Sequence, residues 1–370
     1  VRFVTNYATY ISSDCALPNR SQPWHISHVI NDAEQTGPLS PRPSIAIIGS
    51  GAVGSYYGAR LVQGGHDVHF LLRSDYEAVR QDGMHIKSCA GDFSLPADRL
   101  NLYADVREMP KADWVIVTLK ATNNELFEPL IRPLLKPGTA LLTLQNGLGN
   151  EEQLAQTFPG HPMLGGMAFT CINRTAPGRI DHTAHGYIRL GEFGGGPGAY
   201  AERIAAIFRE SQVPCDVLED LRYGRWEKLV WNVPFNGLST VLNQTTDQLL
   251  ASAEGEQLVR RIMAEVIASA RANGVTMSDS LIDLNISRTR EMEAYRTSMQ
   301  VDLQMGRDLE VEAILGEPIR AGARCGVVND SMRMLYELGC MVRRRIVAGD
   351  VGNHQLTSPT PPIHSPAGAR

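Results

Sequence analysis

The chain has 370 residues, which at roughly 100–200 residues per domain allows two domains with additional tails. Hydrophobic residues make up 43% and charged residues 20%, the balance of a folded chain with a sizeable core rather than a disordered one. A formal net charge of -5 argues against bulk attraction to nucleic acid or to an anionic membrane, and no apolar run approaches the ~18 residues a membrane-spanning helix needs. Cys15, Cys89, Cys171, Cys215, Cys325 and Cys340 are scattered without a C-x-x-C pair. Buried thiols in a reducing cytoplasm are therefore expected, in place of a zinc cluster or a disulfide framework.

Residues 1–43 hold Pro18, Pro23, Pro38, Pro41 and Pro43 and no sustained apolar period, and they lack the basic start and apolar stretch of a secretion signal. They are expected to be a disordered extension, and the polar, proline-rich residues 351–370 a disordered tail. Ile45-Ala46-Ile47-Ile48 then suits a buried parallel strand. Gly49-Ser50-Gly51-Ala52-Val53-Gly54 comes at once after it, leading into a helix over 55–63 that Gly64-Gly65 stops, and residues 66–72 read as a second strand. A G-x-G-x-x-G is weak evidence alone, but inside a strand–helix–strand unit it marks a dinucleotide site. Gly49 permits the tight turn, Gly51 lets a pyrophosphate approach the backbone, and Gly54 lets the helix pack close to the strand. The helix N-terminus supplies N–H groups and partial positive charge to the phosphates.

An NAD-specific site usually carries Asp or Glu at the end of the second strand. Here stands Leu72-Arg73-Ser74, and a guanidinium suits the 2′-phosphate of NADPH, although Asp75 lies close by. Residues 113–119 form a third apolar strand ending at Lys120. Residues 139–144 form another, ending in Gln145-Asn146-Gly147-Leu148-Gly149. Ligands of open α/β sheets bind at the carboxyl ends of strands, so Lys120 and Asn146 belong to the candidate rim. The competing readings are a surface lysine and ordinary turn chemistry. Residues 162–193 read as extended segments with turns, and Gly194-Gly195-Gly196-Pro197-Gly198 as a loop without the Lys-Ser/Thr of a triphosphate site. A helix over 200–210 and a strand over 213–218 complete an α/β half spanning 44–218. The pairs His66/His69 and His182/His185 lack companion ligands, so no metal site is expected.

From 219 to 350 the pattern turns helical, with expected helices over 222–232, 257–272, 280–299 and 309–325. Lys228, Asn232 and Asn236 recur at i, i+4 and i+8, so a helix would show them on one face among apolar neighbours. Such groups are costly to bury alone, so they face a pocket or an interdomain polar network. Pro234 is expected to bend this helix or to end its first part. A second cluster joins Ser298-Met299-Gln300-Val301-Asp302 to Glu310, whose carboxylate could orient a lysine or hold a ribose.

Together these pieces resemble the ketopantoate reductase family (2-dehydropantoate 2-reductases) over about residues 44–345. The resemblance rests on the glycine turn, Thr118-Leu119-Lys120-Ala121, Gln145 to Gly149, Trp226-Glu227-Lys228-Leu229 with Asn232, and Thr297-Ser298-Met299-Gln300 with Gly306-Arg307 and Glu310. It implies a Rossmann-type NADPH-binding domain followed by an all-helical catalytic domain, and reduction of 2-dehydropantoate to pantoate on the route to pantothenate. It further implies Lys228 as proton donor, assisted by Glu310; Asn146, Asn232, Asn236 and Ser298 as substrate contacts; and Asn243 or Thr246 as a further polar position. The cofactor would be held by Gly49, Ser50, Gly51, Ala52, Val53, Gly54, Arg73, Lys120, Asn146 and Glu310. The expected partner is a small-molecule 2-oxo acid, with no nucleic acid and no membrane. A homodimer stays open. Two other readings also stay open: a reductase of another 2-oxo acid or ketone on this scaffold, and a non-catalytic NADPH-binding sensor. Arg343-Arg344-Arg345 favours a helix C-terminus over a nucleic-acid contact.

Overall fold

The computed structural model describes residues 42–292 and 294–348. Nearly all of the expected extension, Cys15 and the expected tail lie outside these residues. Short apolar runs at the start of the chain form β1 (Ser44–Ile48), β2 (Asp67–Leu71) and, between them, α1 (Ala52–Gln63), three residues longer at its start than the sequence suggested. Residues 76–112, for which no element was expected, hold α2 (Tyr76–Asp82), β3 (Met84–Ser88), β4 (Phe93–Leu95) and β5 (Asn101–Tyr103). Then come β6 (Trp114–Val117), α3 (Phe127–Ile131), β7 (Ala140–Thr143), α4 (Asn150–Thr157), the long hairpin β8 (Met163–Ala176) and β9 (Arg179–Glu192), α5 (Ala199–Glu210) and β10 (Cys215–Val217).

The path β5-β2-β1-β6-β7-β8 is parallel throughout, and in order of appearance that is the doubly wound 3-2-1-4-5-6 arrangement. β9 pairs antiparallel with β8 and carries β3, β4 and β10 beyond it. Helices cover both faces, which explains the lack of alternation along β1. Ile45 and Ile47 enter one core with Tyr57, Phe70 and Phe208, while Ala46 and Ile48 enter another with Val115, Phe127 and Leu154. The N-terminal half is thus a Rossmann-type α/β layer structure, and the chain from Leu221 onward is helical.

The helical part comprises α6 (Leu221–Leu242), α7 (Thr246–Leu250), α8 (Ala253–Ala272), α9 (Ser280–Glu291), α10 (Ser298–Gln304), α11 (Glu317–Arg324) and α12 (Asp330–Val347). Trp226, Leu229, Val230 and Val233 of α6 meet Val259, Met263 and Val266 of α8 in a core of their own. Gly237 lets α12 lie close to α6, since a Cβ there would stand 2.4 Å from a Leu335 methyl carbon.

Two expectations need correcting, and one of the two alternatives for Pro234 falls. Pro234 does not end the first part of its helix: α6 runs through it to Leu242, so Asn236 stays on the helix of Lys228. The missing N–H leaves the Val230 carbonyl without its usual partner, while the neighbouring Val233 and Phe235 are fully buried. The helix expected over 280–299 breaks between α9 and α10. There the Tyr295 carbonyl accepts from the Thr246 N–H at 3.0 Å, and Thr297 caps α10 by accepting from Gln300 N–H at 3.4 Å. The stretch expected as one helix over 309–325 contains a π-helical turn over Glu312–Gly316 before α11. Its Ala313 carbonyl is taken by the Leu148 N–H at 3.0 Å, and Pro318 supplies no N–H, so regular α-helical bonding cannot continue there. The thiols are also less uniform than expected: Cys215 is buried, Cys171 and Cys340 half-buried, and Cys89 and Cys325 exposed.

Candidate active site

The parallel strands end along one rim. β1 runs into Gly49, β2 into Arg73, β6 into Lys120 and β7 into Asn146. At Gly49 the backbone has φ +102, and a Cβ would lie 2.4 Å from Leu119 N, so the tight turn requires glycine. A Cβ on Gly54 would lie 2.4 Å from Thr118 Oγ1, which itself donates to the Gly49 carbonyl at 2.7 Å. Gly51 is different: a Cβ there would meet nothing nearer than Gly49 O at 4.0 Å, so its open side faces space. Ser50 Oγ ties the turn to β2 by donating to Leu71 O at 2.9 Å. The N-terminus of α1, at Ala52 and Val53, has no side-chain cap and no acidic residue in its first turn. An anionic pyrophosphate fits that opening.

Arg73 is exposed, with no hydrogen bond or ion pair among the described residues. The neighbouring carboxylate that left the cofactor in doubt is occupied elsewhere. Asp75 is 4% exposed, pairs with Arg174, and accepts from Ser74 Oγ at 2.9 Å. The free group at the end of β2 is therefore a cation, which fits a 2′-phosphate.

Lys228 is partly buried on α6. Its Nζ donates to Asn146 Oδ1 at 3.0 Å and to the Ala168 carbonyl at 2.8 Å, and it sits 5.2 Å from the centroid of the Phe169 ring. Asn146 Nδ2 in turn donates to Glu310 Oε2 at 3.4 Å, and Glu310 Oε1 accepts from the Ala121 N–H at 2.9 Å. The buried carboxylate thus fixes the amide of Asn146 with its oxygen towards the ammonium. Burial, joined by the Arg225 charge, pushes the Lys228 pKa down to about 7, and Glu310 partly opposes both.

The sequence-predicted groups divide into two clusters on α6. Lys228 joins Asn146 and Glu310, whereas Asn236 Oδ1 accepts from Ser298 Oγ at 3.3 Å and from the Met299 N–H at 3.2 Å. Between them, Asn232 is 6% exposed and its side chain makes no hydrogen bond among the described residues. Lys120 reaches neither cluster directly; it pairs with buried Asp302, which Arg307 also approaches at 3.0 Å. Burial lowers the Lys120 pKa, with Glu310 opposing. Asn243 is the left-handed C-cap of α6 and accepts from Gln300 Nε2 at 3.4 Å, while Thr246 is fully buried. His182 bonds Ser88 Oγ at 2.8 Å and His69 bonds the Tyr103 hydroxyl at 3.1 Å.

One supporting pair escaped sequence reasoning. Arg225, three residues before Lys228, is buried against Glu151 with its Nε at 2.7 Å, and its Nη1 donates to the Gln145 carbonyl at 2.7 Å. It anchors the strand end that carries Asn146. The available signal was a charged residue set among Tyr223, Trp226 and Leu229 on the face of α6 that turns inward.

The family model described as Ketopantoate reductase PanE/ApbA matches residues 45–195, and its C-terminal counterpart matches residues 220–341. A 2-dehydropantoate 2-reductase of Nostoc sp. is 45% identical over 296 residues, 79% of this chain and 92% of the relative. The chain belongs to the ketopantoate reductase family. Solved structures of that family agree. The crystal structure of 2-dehydropantoate 2-reductase from Geobacter metallireducens is 45% identical with a TM-score of 0.78, covering 80% of this chain and 99% of that one. The corresponding structure from Methylococcus capsulatus is 36% identical with a TM-score of 0.75, covering 82% and 97%. Family membership spans both the α/β half and the helical half, as the resemblance read from motifs implied.

Proposed function

We propose that the chain reduces 2-dehydropantoate to pantoate with NADPH, and that Lys228 donates the proton. The observation that carries this reading is a half-buried ammonium held by Asn146 and the Ala168 carbonyl beside the rim of the dinucleotide turn. NADPH, when bound, supplies a hydride to the carbonyl carbon of the 2-oxo acid. Lys228 stabilises the negative charge that grows on the carbonyl oxygen and gives that oxygen a proton. A pKa near 7 keeps donor and product forms close in free energy at neutral pH. Glu310 acts through Asn146, holding the amide oxygen on the ammonium. Asn232, with its side chain unpartnered among the described residues, and the exposed Ser298 hydroxyl are available to orient the substrate.

In this reading residues 44–218 bind NADPH and 219–350 carry catalysis; the support is that the buried residues of the two largest apolar cores fall one on each side of that division. Exposed thiols at Cys89 and Cys325 suit a reducing cytoplasm. A homodimer is part of the same reading, supported by the exposed Met334, Leu338 and Met341 along one side of α12. The test of the activity is NADPH oxidation against a panel of 2-oxo acids. The highest kcat/KM is expected for 2-dehydropantoate. Another acid preferred tenfold would overturn the substrate, and no oxidation with any would leave a cofactor-binding protein without this chemistry.

A further inference from the structure

The end of β2 carries more charge than Arg73 alone. Three carboxylates stand around it: Asp75 and Glu77 just beyond β2, and Asp105 just beyond β5, the strand that pairs with β2. Each meets an arginine. Glu77 and Asp105 are answered locally and on the surface, where Arg80 Nη2 donates to Glu77 Oε2 at 2.9 Å and Arg107 pairs with Asp105. Exposed pairs of that kind constrain little. Asp75 is different. It is buried, and its partner Arg174 stands 99 positions away in the chain, near the turn of the β8–β9 hairpin.

The hairpin is seated for that contact. Its turn packs on α2, where Gly178 has φ +66 and a Cβ would stand 2.9 Å from Gly83 O and 3.0 Å from Val79 Cγ2. The Gly178 N–H donates to Asp75 Oδ2 at 3.4 Å, while Arg174 pairs with Oδ1, which also accepts from Ser74 Oγ at 2.9 Å. A register shift between Arg174 and Ala176 interrupts the β8–β9 ladder here, as bulges do where a side chain is re-aimed. Both oxygens of Asp75 are therefore occupied. Beyond Arg174 the next charge is Arg307 of the helical half, whose pKa burial and the Arg174 charge lower, and which approaches Asp302 at 3.0 Å.

A carboxylate at the end of the second strand holds the ribose 2′-hydroxyl in an NAD-specific site, and it repels a 2′-phosphate. Here such a carboxylate stands two residues after Arg73. We propose that Arg174 is a positioning residue for cofactor choice: by neutralising Asp75 and holding it against the hairpin, it leaves Arg73 free for the 2′-phosphate of NADPH. The inference rests on the NADPH reading above and names a residue far from the dinucleotide turn that enforces it. Without Arg174, Asp75 is drawn towards Arg73, competes with the phosphate for that guanidinium, and gives the ribose hydroxyl of NADH an acceptor.

The test is fluorescence titration of NADPH and of NADH, read as the ratio of the NADH to the NADPH dissociation constant. Arg73, Asp75 and Arg174 together carry one net positive charge in the parent. Arg174→Gln removes it, Asp75→Asn adds a second, and the double variant returns to the parent value. The ratio should follow that order. Arg174→Gln lowers it by roughly tenfold or more, Asp75→Asn raises it by about threefold or more, and the double variant restores it. Arg174→Lys, which keeps the charge, should hold most of the preference. Equal weakening of both cofactors by Arg174→Gln would mark a purely structural tie between hairpin and α2, and overturn the proposal. A ratio that falls in Arg174→Gln and stays low in the double variant would mean that Arg174 meets the phosphate itself, which also overturns it. Should Arg174→Gln fail to fold with Asp75 buried and unpaired, Asp75→Asn decides alone: a raised ratio supports the proposal and an unchanged one overturns it. A parent without preference for NADPH would overturn the cofactor reading as well, whereas each failure named before it leaves that reading standing.

Discussion

Replacing Lys228 by alanine tests the proposed chemistry most directly, because the structure sets two separate expectations for it. With a pKa near 7, the parent is about half ammonium at pH 7 and about one-tenth at pH 8. Turnover limited by proton donation should therefore fall about tenfold per pH unit on the alkaline side. Bound NADPH is strongly anionic and raises that midpoint, so the fall in kcat lies at higher pH than the free-enzyme value. Lys228→Ala should lower single-turnover hydride transfer by roughly two to four orders of magnitude and abolish the alkaline limb. NADPH affinity should change little, since the glycine turn is on another element. The second expectation concerns stability. The unfolded chain holds the Lys228 proton up to its ordinary pKa of 10.5, whereas the folded chain releases it near 7. Between those values the unfolded state binds more protons, so stability should rise with pH there, by at most about 1.4 kcal/mol per unit from this group. Below the lower value the penalty is fully present. Denaturant midpoints at the two ends of that window should show the slope in the parent and not in the variant. An alanine variant with near-parental hydride transfer, or one retaining the alkaline limb, would refute the assignment.

Arg73→Ala should weaken NADPH by about 1.5–3 kcal/mol and leave NADH unchanged, as read by fluorescence titration; equal losses for both would remove the 2′-phosphate contact. Gly147→Ala should cost about 2–4 kcal/mol in denaturant unfolding, because φ is +87 and the new Cβ would lie 2.2 Å from Ala313 O. Arg225→Met leaves Glu151 buried and unpaired and should cost about 3–5 kcal/mol, with Arg225→Met/Glu151→Met recovering much of it. If the double variant is no more stable than the single, the loss comes from the Gln145 carbonyl contact instead.

Local patterns were the legible ones. The strand, glycine turn and helix at the start of the α/β half announce themselves because their residue types and spacing all fall within about thirty consecutive residues, even though the atoms nearest to a side chain at Gly49 and Gly54 belong to Thr118 and Leu119. The Lys228, Asn232, Asn236 register was readable because helical periodicity survives even Pro234, where one backbone acceptor is lost. What decided the rest was distance along the chain. The Arg225–Glu151 pair spans 74 positions, and the Ala121–Glu310 bond 189, so neither has a local signature. The break before α10 depends on a bond from Thr246 to Tyr295, and the unassigned strands of 76–112 are only three to five residues long. Even where apolar and polar residues alternate, as along Met84–Ser88, three to five residues are too few to distinguish a strand from a loop.

The π-helical turn over Glu312–Gly316 also sets the phase of everything on either side of it. A wide turn accommodates one more residue than an α-helical turn, and one residue corresponds to about 100° of rotation around the axis. Deleting Ala313 alone would take the extra residue out of the wide turn, although Pro318 would still donate no N–H there. The deletion would turn Glu310 by about 100° relative to α11 while leaving every other side chain of the segment chemically intact. The carboxylate that holds Asn146 is thus aimed by a single extra residue, and a one-codon deletion, with no substitution at all, should disconnect Glu310 from Ala121 and Asn146 together.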